Sequence, residues 1–567
     1  MSQSLIAFDT DHIKSYVFGT NKLKEIRGAS SILDALNRDK TTAKAKEYGA
    51  TCIYANGGSA LFLVDSGQAE SLGKAVQELY HNNTGGGASI TYAIQVIPDH
   101  DSTQDIMTAE KLNENVTMAD VLKLLRLRLR LAKDGLQMNM SSKEGTQQDD
   151  ALAHIALPSH ALLCTCESCG VNYAQALWKD QDPDDTDDGE GRYCRVCIGK
   201  REEDRNVKNK LRNPRKTSLS VKTLWDRILD SLGKDYLSPS SPFPQRPKDF
   251  NVFREFTRGK EYLGLIYADA NSMGKALEKL ETLHEVKVFA DTIDDAVFKA
   301  MGEAIRTHLP VQKGKFPFDI LLIGGDDIVM VTPADKAIQV ARALAEKFHE
   351  HTNKEYTLSI GVVLAPVKYP FSLQYGLVDE ILKAAKKSGA KRHADNASSN
   401  DGQEQSRINF LVVTGNTSLS YQKNYQEMYR KKPVFGKIDE FYATMRPYTL
   451  SQLGRLLQQI REGNKKHLGR TKLQQLREAI LKLNNTTTIL EALALLRNWK
   501  KEEREFIKAV VTELVDTPQT AKQQQMGTLF PWSLGERSNE KHTIYRTPLL
   551  DFVELYDFVS SEEGQNR

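Results

Sequence analysis

The stretch DILLIGGDDIVMV, residues 319–331, decides how this chain is read. Two apolar runs, ILLI and IVMV, flank two glycines and two aspartates. Short apolar runs bounded by turn residues read as buried strands. Glycines accept the positive φ of a tight hairpin. Asp326 and Asp327 therefore stand at a hairpin tip, at the rim of a core. A decorated surface turn can carry the same tetrapeptide, but two neighbours favour chemistry. Upstream, LGLIYA (263–268) is a second buried strand, ending at Asp269. Downstream, EILKAAKKSG from residue 380 is an amphipathic helix carrying Lys383, Lys386 and Lys387. Carboxylates that stay ionised side by side need cations between them. Hard oxygen donors suit Mg²⁺ or Mn²⁺, and a pair of such ions leaves places for nucleotide phosphates.

The same order of elements occurs earlier in the chain. LIAF (5–8) ends at Asp9 and is followed, like its counterpart, by a helical segment; CIYANGGSALFLV (52–64) is a glycine hairpin, SITYAIQVIP follows from residue 89, and the basic helix DVLKLLRLRLRLAKDG from residue 120. In the second half the corresponding third strand is TLSIGVVLAP, from residue 357. Five matched elements in one order indicate an internal duplication. Strand, helix, hairpin, helix, strand, helix is the split βαβ, ferredoxin-like order. The expected fold is therefore α+β, with two ferredoxin-like palm domains. The first hairpin reads Gly57-Gly58-Ser59-Ala60, so its glycines stay and its acids are gone. That copy cannot hold a metal pair in the same way. Either it presents an acceptor nucleotide at Gly57 and Gly58, or it is scaffold.

Between the copies lie Cys166-x-x-Cys169 and Cys194-x-x-Cys197. Two such knuckles close a tetrahedral thiolate sphere around a structural Zn²⁺, with the thiols reduced as in a cytosol. Cys164 is a spare that can replace Cys166; His154 and His160 read as loop residues. The acidic stretch KDQDPDDTDDGEGR from residue 179 reads as a solubilising loop. The basic stretch 200–222 reads as a solvated helix face rather than an RNA surface. From residue 450 to 514 apolar residues recur at three and four, the mark of a helical tail suited to protein contacts.

The 567 residues are 40% hydrophobic and 27% charged, with a net charge of +3. This composition excludes wholesale disorder, and no apolar run is long enough to span a membrane. No secretory signal is read at the N-terminus, so a cytoplasmic location is expected. Polar or Pro/Ser-rich breaks at 141–150, 237–248 and 394–407 divide the chain into a first palm (1–150), a zinc-binding insert with a basic linker (151–250), a second palm (251–414) and a C-terminal helical domain (415–567).

YADANSMGKAL (267–277) together with GGDD resembles the polymerase/cyclase palm of the CRISPR-associated large subunit of type III effector complexes. IAFDTDHIKSYVFGTNKLKEIRGASSILDALN (6–37) is similar to that family's first palm, in its I-x-S-Y-V-F and L-x-x-I-R-G-A-S segments. The resemblance spans residues 1–415. It implies an enzyme that joins ATP through 3′–5′ bonds into cyclic oligoadenylates, second messengers of antiviral defence. Asp269, Asp326 and Asp327 would be the catalytic, metal-binding acids. Asn271, Ser272, Met273 and Gly274 would meet the triphosphate where the first strand turns into its helix, with Gly324, Gly325, Lys383, Lys386 and Lys387 near the phosphates. It further implies guide RNA, other complex subunits and an activating target RNA as partners. Many relatives begin with an HD nuclease domain; here the first palm strand starts at Leu5 and leaves no room for one, so cleavage of single-stranded DNA is not expected. Two other readings stay open: a non-catalytic scaffold subunit binding guide or target RNA, and a diguanylate-cyclase-like enzyme. Intact acids count against the first, and two palms in one chain against the second.

Overall fold

A computed structural model describes residues 2–98, 105–113, 115–135, 164–179, 190–212, 222–237, 243–257, 259–395, 406–415, 419–431, 440–466, 468–482, 484–514, 530–539 and 542–559. The break at 141–150, His154 and His160 lie outside them, as do residues 180–189 of the acidic loop, 213–221 of the basic stretch, 238–242 and 396–405. No described helix is long and apolar enough to cross a membrane.

Strands β1 (Gln3–Asp11), β2 (Thr51–Asn56), β3 (Ser59–Asp65) and β4 (Ser89–Val96) form a sheet of order β2-β3-β1-β4. The short strands β5 (Ala176–Trp178) and β6 (Gly191–Tyr193) pair beside the cysteines. Strands β7 (Tyr262–Ala270), β8 (Asp319–Gly324), β9 (Asp327–Pro333), β10 (Leu358–Pro366) and β11 (Arg407–Val412) form a second sheet, β11-β10-β7-β9-β8. The first strand of each copy lies antiparallel between the second hairpin strand and the strand that follows it. Both sheets thus have the split βαβ order, and β11 adds one parallel strand on β10. The duplication read from the sequence is present in the topology.

The chain divides into two compact units. One is Met1–Asp230 with Ser272–Asp295 and Leu321–Asp326; the other is Ser231–Asn271, Ala296–Ile320 and Asp327–Arg567. In the first unit, α1 (Ile13–Phe18), α2 (Leu23–Ala35), α3 (Thr41–Glu47), α4 (Ser66–Thr84) and α5 (Met118–Lys133) accompany the first sheet. Helix α6 (Arg195–Arg212) leaves the cysteine module, and α7 (Leu224–Leu232) follows. The unit also takes α8 (Met273–Leu277) and the start of α9 (Leu283–His308). Leu283 and Val286 of α9 join Leu5, Ile53, Leu61 and Leu125 in one apolar core. Arg38 grips Asp294 with two hydrogen bonds, of 2.7 and 2.5 Å. A segment that follows the second copy's first strand is therefore packed into the first copy's core.

In the second unit, α10 (Ala334–His351) and α11 (Phe371–Asp395) cover the second sheet. The tail holds α12 (Tyr421–Asn424), α13 (Leu450–Lys465), α14 (Arg470–Ile480), α15 (Asn485–Arg497), α16 (Lys501–Glu513) and α17 (Leu549–Leu555). It also holds a small sheet that its helical periodicity did not announce: β12 (Arg430–Lys431), β13 (Glu440–Tyr442), β14 (Ser533–Asn539) and β15 (His542–Arg546), in the order β12-β13-β15-β14. Strands of two to seven residues are too short to stand out as a period-two pattern.

A buried charge cluster ties the tail to the palm. The Arg446 guanidinium is fully buried and donates to the Phe410 carbonyl of β11 (2.8 Å) and to Glu554 (2.9 Å). It also pairs with Asp551 (2.9 Å) and lies 4.6 Å from both the Phe410 and Tyr429 ring centres. Asp551 in turn accepts from Thr444 (2.8 Å), the Met445 amide (2.9 Å) and the Tyr448 hydroxyl (2.5 Å). Removing one partner of such a cluster strands the others without water. Arg446→Met is therefore expected to cost roughly 3–5 kcal/mol, read as a lower denaturation midpoint; an unchanged midpoint would show that the cluster is not holding the tail to the sheet.

Candidate active site and zinc centre

The two palms share more than strand order. After each first strand a left-handed residue caps a short helix: His12 (φ 53°) before α1 and Ser272 (φ 62°) before α8. Counting back from these residues makes Asp9 the counterpart of Asp269, and Asp11 that of Asn271. Two hydroxyls on the neighbouring strand or directly before it hold each junction. Asp11 accepts from Ser89 (3.1 Å) and Thr91 (2.8 Å). Asn271 donates to Thr357 (2.9 Å) and accepts from Ser359 (2.7 Å). Asp9 lies opposite Thr91, and Asp269 opposite Ser359. The junction Asn271-Ser272-Met273-Gly274 is thus rigidly set at its first residue, with Gly274 open to added volume.

The ion pair at the strand end is also duplicated. Lys133, the last residue of α5, pairs with Asp9 (2.5 Å) and reaches Asp11 (3.5 Å). Lys386 of α11 pairs with Asp269. Burial raises the Asp9 carboxyl above its ordinary range, and Lys133 offsets part of that.

The hairpin tips correspond with a one-residue offset from the sequence reading. Strand β2 ends at Asn56 and β8 at Gly324, so the two-residue turns are Gly57-Gly58 and Gly325-Asp326. Gly58 therefore stands where the second palm has Asp326, and Ser59 where it has Asp327. The register agrees: Asp9 faces Ser59, and one step beyond the Ala268–Ile328 pair puts Asp269 opposite Asp327. Gly57 and Gly58 both have positive φ (61° and 88°), as a type I′ turn needs. In the second turn only Gly325 does (64°), so its next position accepts an aspartate.

Helix α11 brings further groups to Asp269 and Asp327. The Tyr267 and Tyr375 rings stack 6.0 Å apart. Burial, then Asp327, Tyr375, Asp269 and Asp379, push the Tyr267 phenol far above its usual value. Lys383 pairs with Asp379 at 2.5 Å, and Lys387 is exposed. Tyr375 and Asp379 were not among the sequence candidates, because the helix was read from residue 380. It begins at Phe371, directly after Pro370, and proline beside a helix start is an ordinary N-terminal signal. Half-buried carboxylates fixed at strand ends are suitable donors for Mg²⁺ or Mn²⁺.

Cys166, Cys169, Cys194 and Cys197 gather with all four Sγ atoms within 4.8 Å of one another. Four Zn–S bonds of ~2.3 Å would space the sulfurs about 3.8 Å apart, and the Cys169 and Cys194 sulfurs are 3.9 Å apart. The quartet fits Zn²⁺. Cys164 stays outside it, exposed and facing Arg192 at 3.4 Å. The module rests on α2 through paired side chains. Arg27 binds Asp204 at 2.8 and 2.9 Å, and Arg201 binds the buried Glu25 at 2.7 Å. Ser168, inside the first knuckle, also donates to Glu25 (2.6 Å). A Cβ on Gly28 would fall 1.8 Å from the Lys200 carbonyl oxygen. The I-R-G-A-S run is thus a docking surface for the zinc module, a role that only the fold reveals. About one Zn²⁺ per chain is expected by metal analysis, lost in Cys166→Ser/Cys194→Ser and kept in Cys164→Ser; zinc loss in Cys164→Ser would mean that the quartet is wrongly assigned.

Residues 262–394 match the family model described as Cas10/Cmr2, second palm domain. A stretch of 67 residues is 39% identical to the CRISPR system single-strand-specific deoxyribonuclease Cas10/Csm1 (subtype III-A) of Mycobacterium tuberculosis; it spans 12% of this chain and 8% of that relative. The fold matches a Csm1–Csm4 cassette in complex with cA4, at a TM-score of 0.53 and 14% identity, covering 99% of this chain and 70% of the other. It matches the cassette in complex with AMPPNP at 0.53 and 15%, with the same coverage. Residues 262–394 of the chain are thus similar to a Cas10/Cmr2 second palm domain, and the chain's fold is similar to that of Csm1.

Proposed function

We propose that this chain is a nucleotidyltransferase that converts ATP into cyclic oligoadenylate in CRISPR-type antiviral defence. The observation that carries the reading is the duplicated frame with unequal turns. Both palms keep the strand-end aspartate, the left-handed junction and the lysine, yet only the second has aspartates at the turn. One frame is equipped for metal-assisted phosphoryl chemistry, and its copy can only receive.

On this reading Asp269, Asp326 and Asp327 hold two Mg²⁺ or Mn²⁺ ions. When bound, such ions lower the pKa of a 3′-hydroxyl and stabilise a pyrophosphate leaving group. The donor ATP lies on the second palm, its triphosphate along Gly324, Gly325 and the junction from Asn271 to Gly274, with Lys383, Lys386 and Lys387 at its phosphates. The acceptor lies against Gly57 and Gly58 of the first palm. Its 3′-hydroxyl attacks the donor α-phosphate in line, pyrophosphate leaves, and repetition followed by ring closure gives the product. The relatives with bound cA4 and AMPPNP support this choice of substrate and product class. The resemblance also suggests other subunits of a type III complex, guide RNA, an activating target RNA and a cytoplasmic setting.

The test is the full chain with labelled ATP and Mn²⁺, with and without RNA. The Asp326→Ala/Asp327→Ala variant is expected to lose more than about 100-fold in oligoadenylate formation, since metal-holding groups carry the chemistry. Its far-UV circular dichroism should be unchanged, because Asp326 sits at the turn and Asp327 is only the first residue of β9. Oligoadenylate from the double variant at the parent rate would overturn the site; linear dimers made from GTP instead would favour a diguanylate-cyclase-like enzyme.

A further inference from the structure

We infer that Lys386 competes with divalent cations for Asp269, so that metal binding releases this lysine to the nucleotide phosphates; this rests on the site proposed above. The argument comes from the two copies of one ion pair. In the first palm Lys133 sits between two carboxylates, Asp9 at 2.5 Å and Asp11 at 3.5 Å, with the Thr10 carbonyl also at 3.5 Å. Three oxygens hold that ammonium in place. In the second palm the counterpart of Asp11 is the neutral Asn271, and its amide is already engaged by Thr357 and Ser359. Lys386 therefore has Asp269 as its carboxylate, and the next acid on its helix face, Asp379, is engaged by Lys383.

The number of partners, not exposure, separates the two holds. The Lys386 and Asp269 side chains are 34% and 24% exposed, against 29% and 39% for Lys133 and Asp9. A partly solvated ion pair with a single carboxylate is weak. A doubly charged ion with further carboxylates at Asp326 and Asp327 outcompetes it. Lys386 stays tethered to α11, and its freed ammonium lies beside the metal-bound carboxylates, where phosphates with excess negative charge would arrive. Cation and nucleotide then strengthen each other's binding, as linkage requires when one event removes a competitor of the other. The first palm, which has no acids at its turn, keeps the lysine permanently.

The experiment measures Mn²⁺ binding to the zinc-loaded full chain by calorimetry, first without nucleotide and then with AMPPNP. Lys386→Met is expected to bind Mn²⁺ about three- to fivefold more tightly than the parent, the gain from removing a weak competing pair. Lys386→Arg, which keeps a cation able to pair, should stay within about twofold of the parent. Mn²⁺ should strengthen AMPPNP binding to the parent more than to Lys386→Met. Equal or weaker Mn²⁺ binding by Lys386→Met would overturn the inference. Asp269→Asn separates the two claims: if it abolishes Mn²⁺ binding, the site stands whatever Lys386 does, and if Mn²⁺ binding survives it, both fall.

Discussion

The backbones of two glycine turns meet. A Cβ on Gly57 would stand 2.5 Å from the Gly325 nitrogen, 2.6 Å from its Cα and 2.9 Å from the Gly324 carbonyl carbon. Real Cβ atoms essentially never come so close, and the atoms in the way are backbone, which cannot rotate aside. Gly57 also holds a φ of 61°, a conformation that costs other residues about 1–2 kcal/mol. Within the first compact unit, this contact sets the Gly57-Gly58 turn, which carries no acids, against the backbone of Gly324 and Gly325. The α9 core residues and the Arg38–Asp294 pair reinforce it.

Much of this was legible in the sequence because buried strands and glycine turns leave strong local marks. DILLIGGDDIVMV and CIYANGGSALFLV both became hairpins, and the cysteine knuckles became a compact quartet. What was hidden depends on register and on distant side chains. Matching glycine to glycine aligned Ser59 with Asp326, whereas strand pairing aligns it with Asp327. The Lys133–Asp9 pair joins residues that no short window brings together. Tyr375 and Asp379 were missed because the helix start was placed too late, although Pro370 marked it.

The zinc module shows the same contrast. Its four ligands announce themselves by spacing, but its seat does not. Glu25, fully buried in α2, carries a charge that would be costly without Ser168 and Arg201. Arg27 and Asp204 repeat the device one turn away. Gly28 has no side chain because the α6 backbone occupies that space. These constraints pin the cysteine knuckle to the helix that follows the first palm's strand–helix junction. The I-R-G-A-S run therefore serves architecture, while the neighbouring Asp9, Asp11 and His12 repeat the strand-end geometry of Asp269, Asn271 and Ser272.

The central claim is that the close approach of the two turns is required for joining one nucleotide to another. Gly57→Val tests it most directly, with oligoadenylate formation from ATP followed beside Mn²⁺ binding and zinc content in the same preparation. The account predicts joining reduced by more than about 100-fold, since a misplacement of about 1 Å is enough for such a loss, with Mn²⁺ binding by the second palm and the zinc quartet intact. Joining at the parent rate in a Gly57→Val protein that keeps both metals would contradict it and leave the first palm as scaffold.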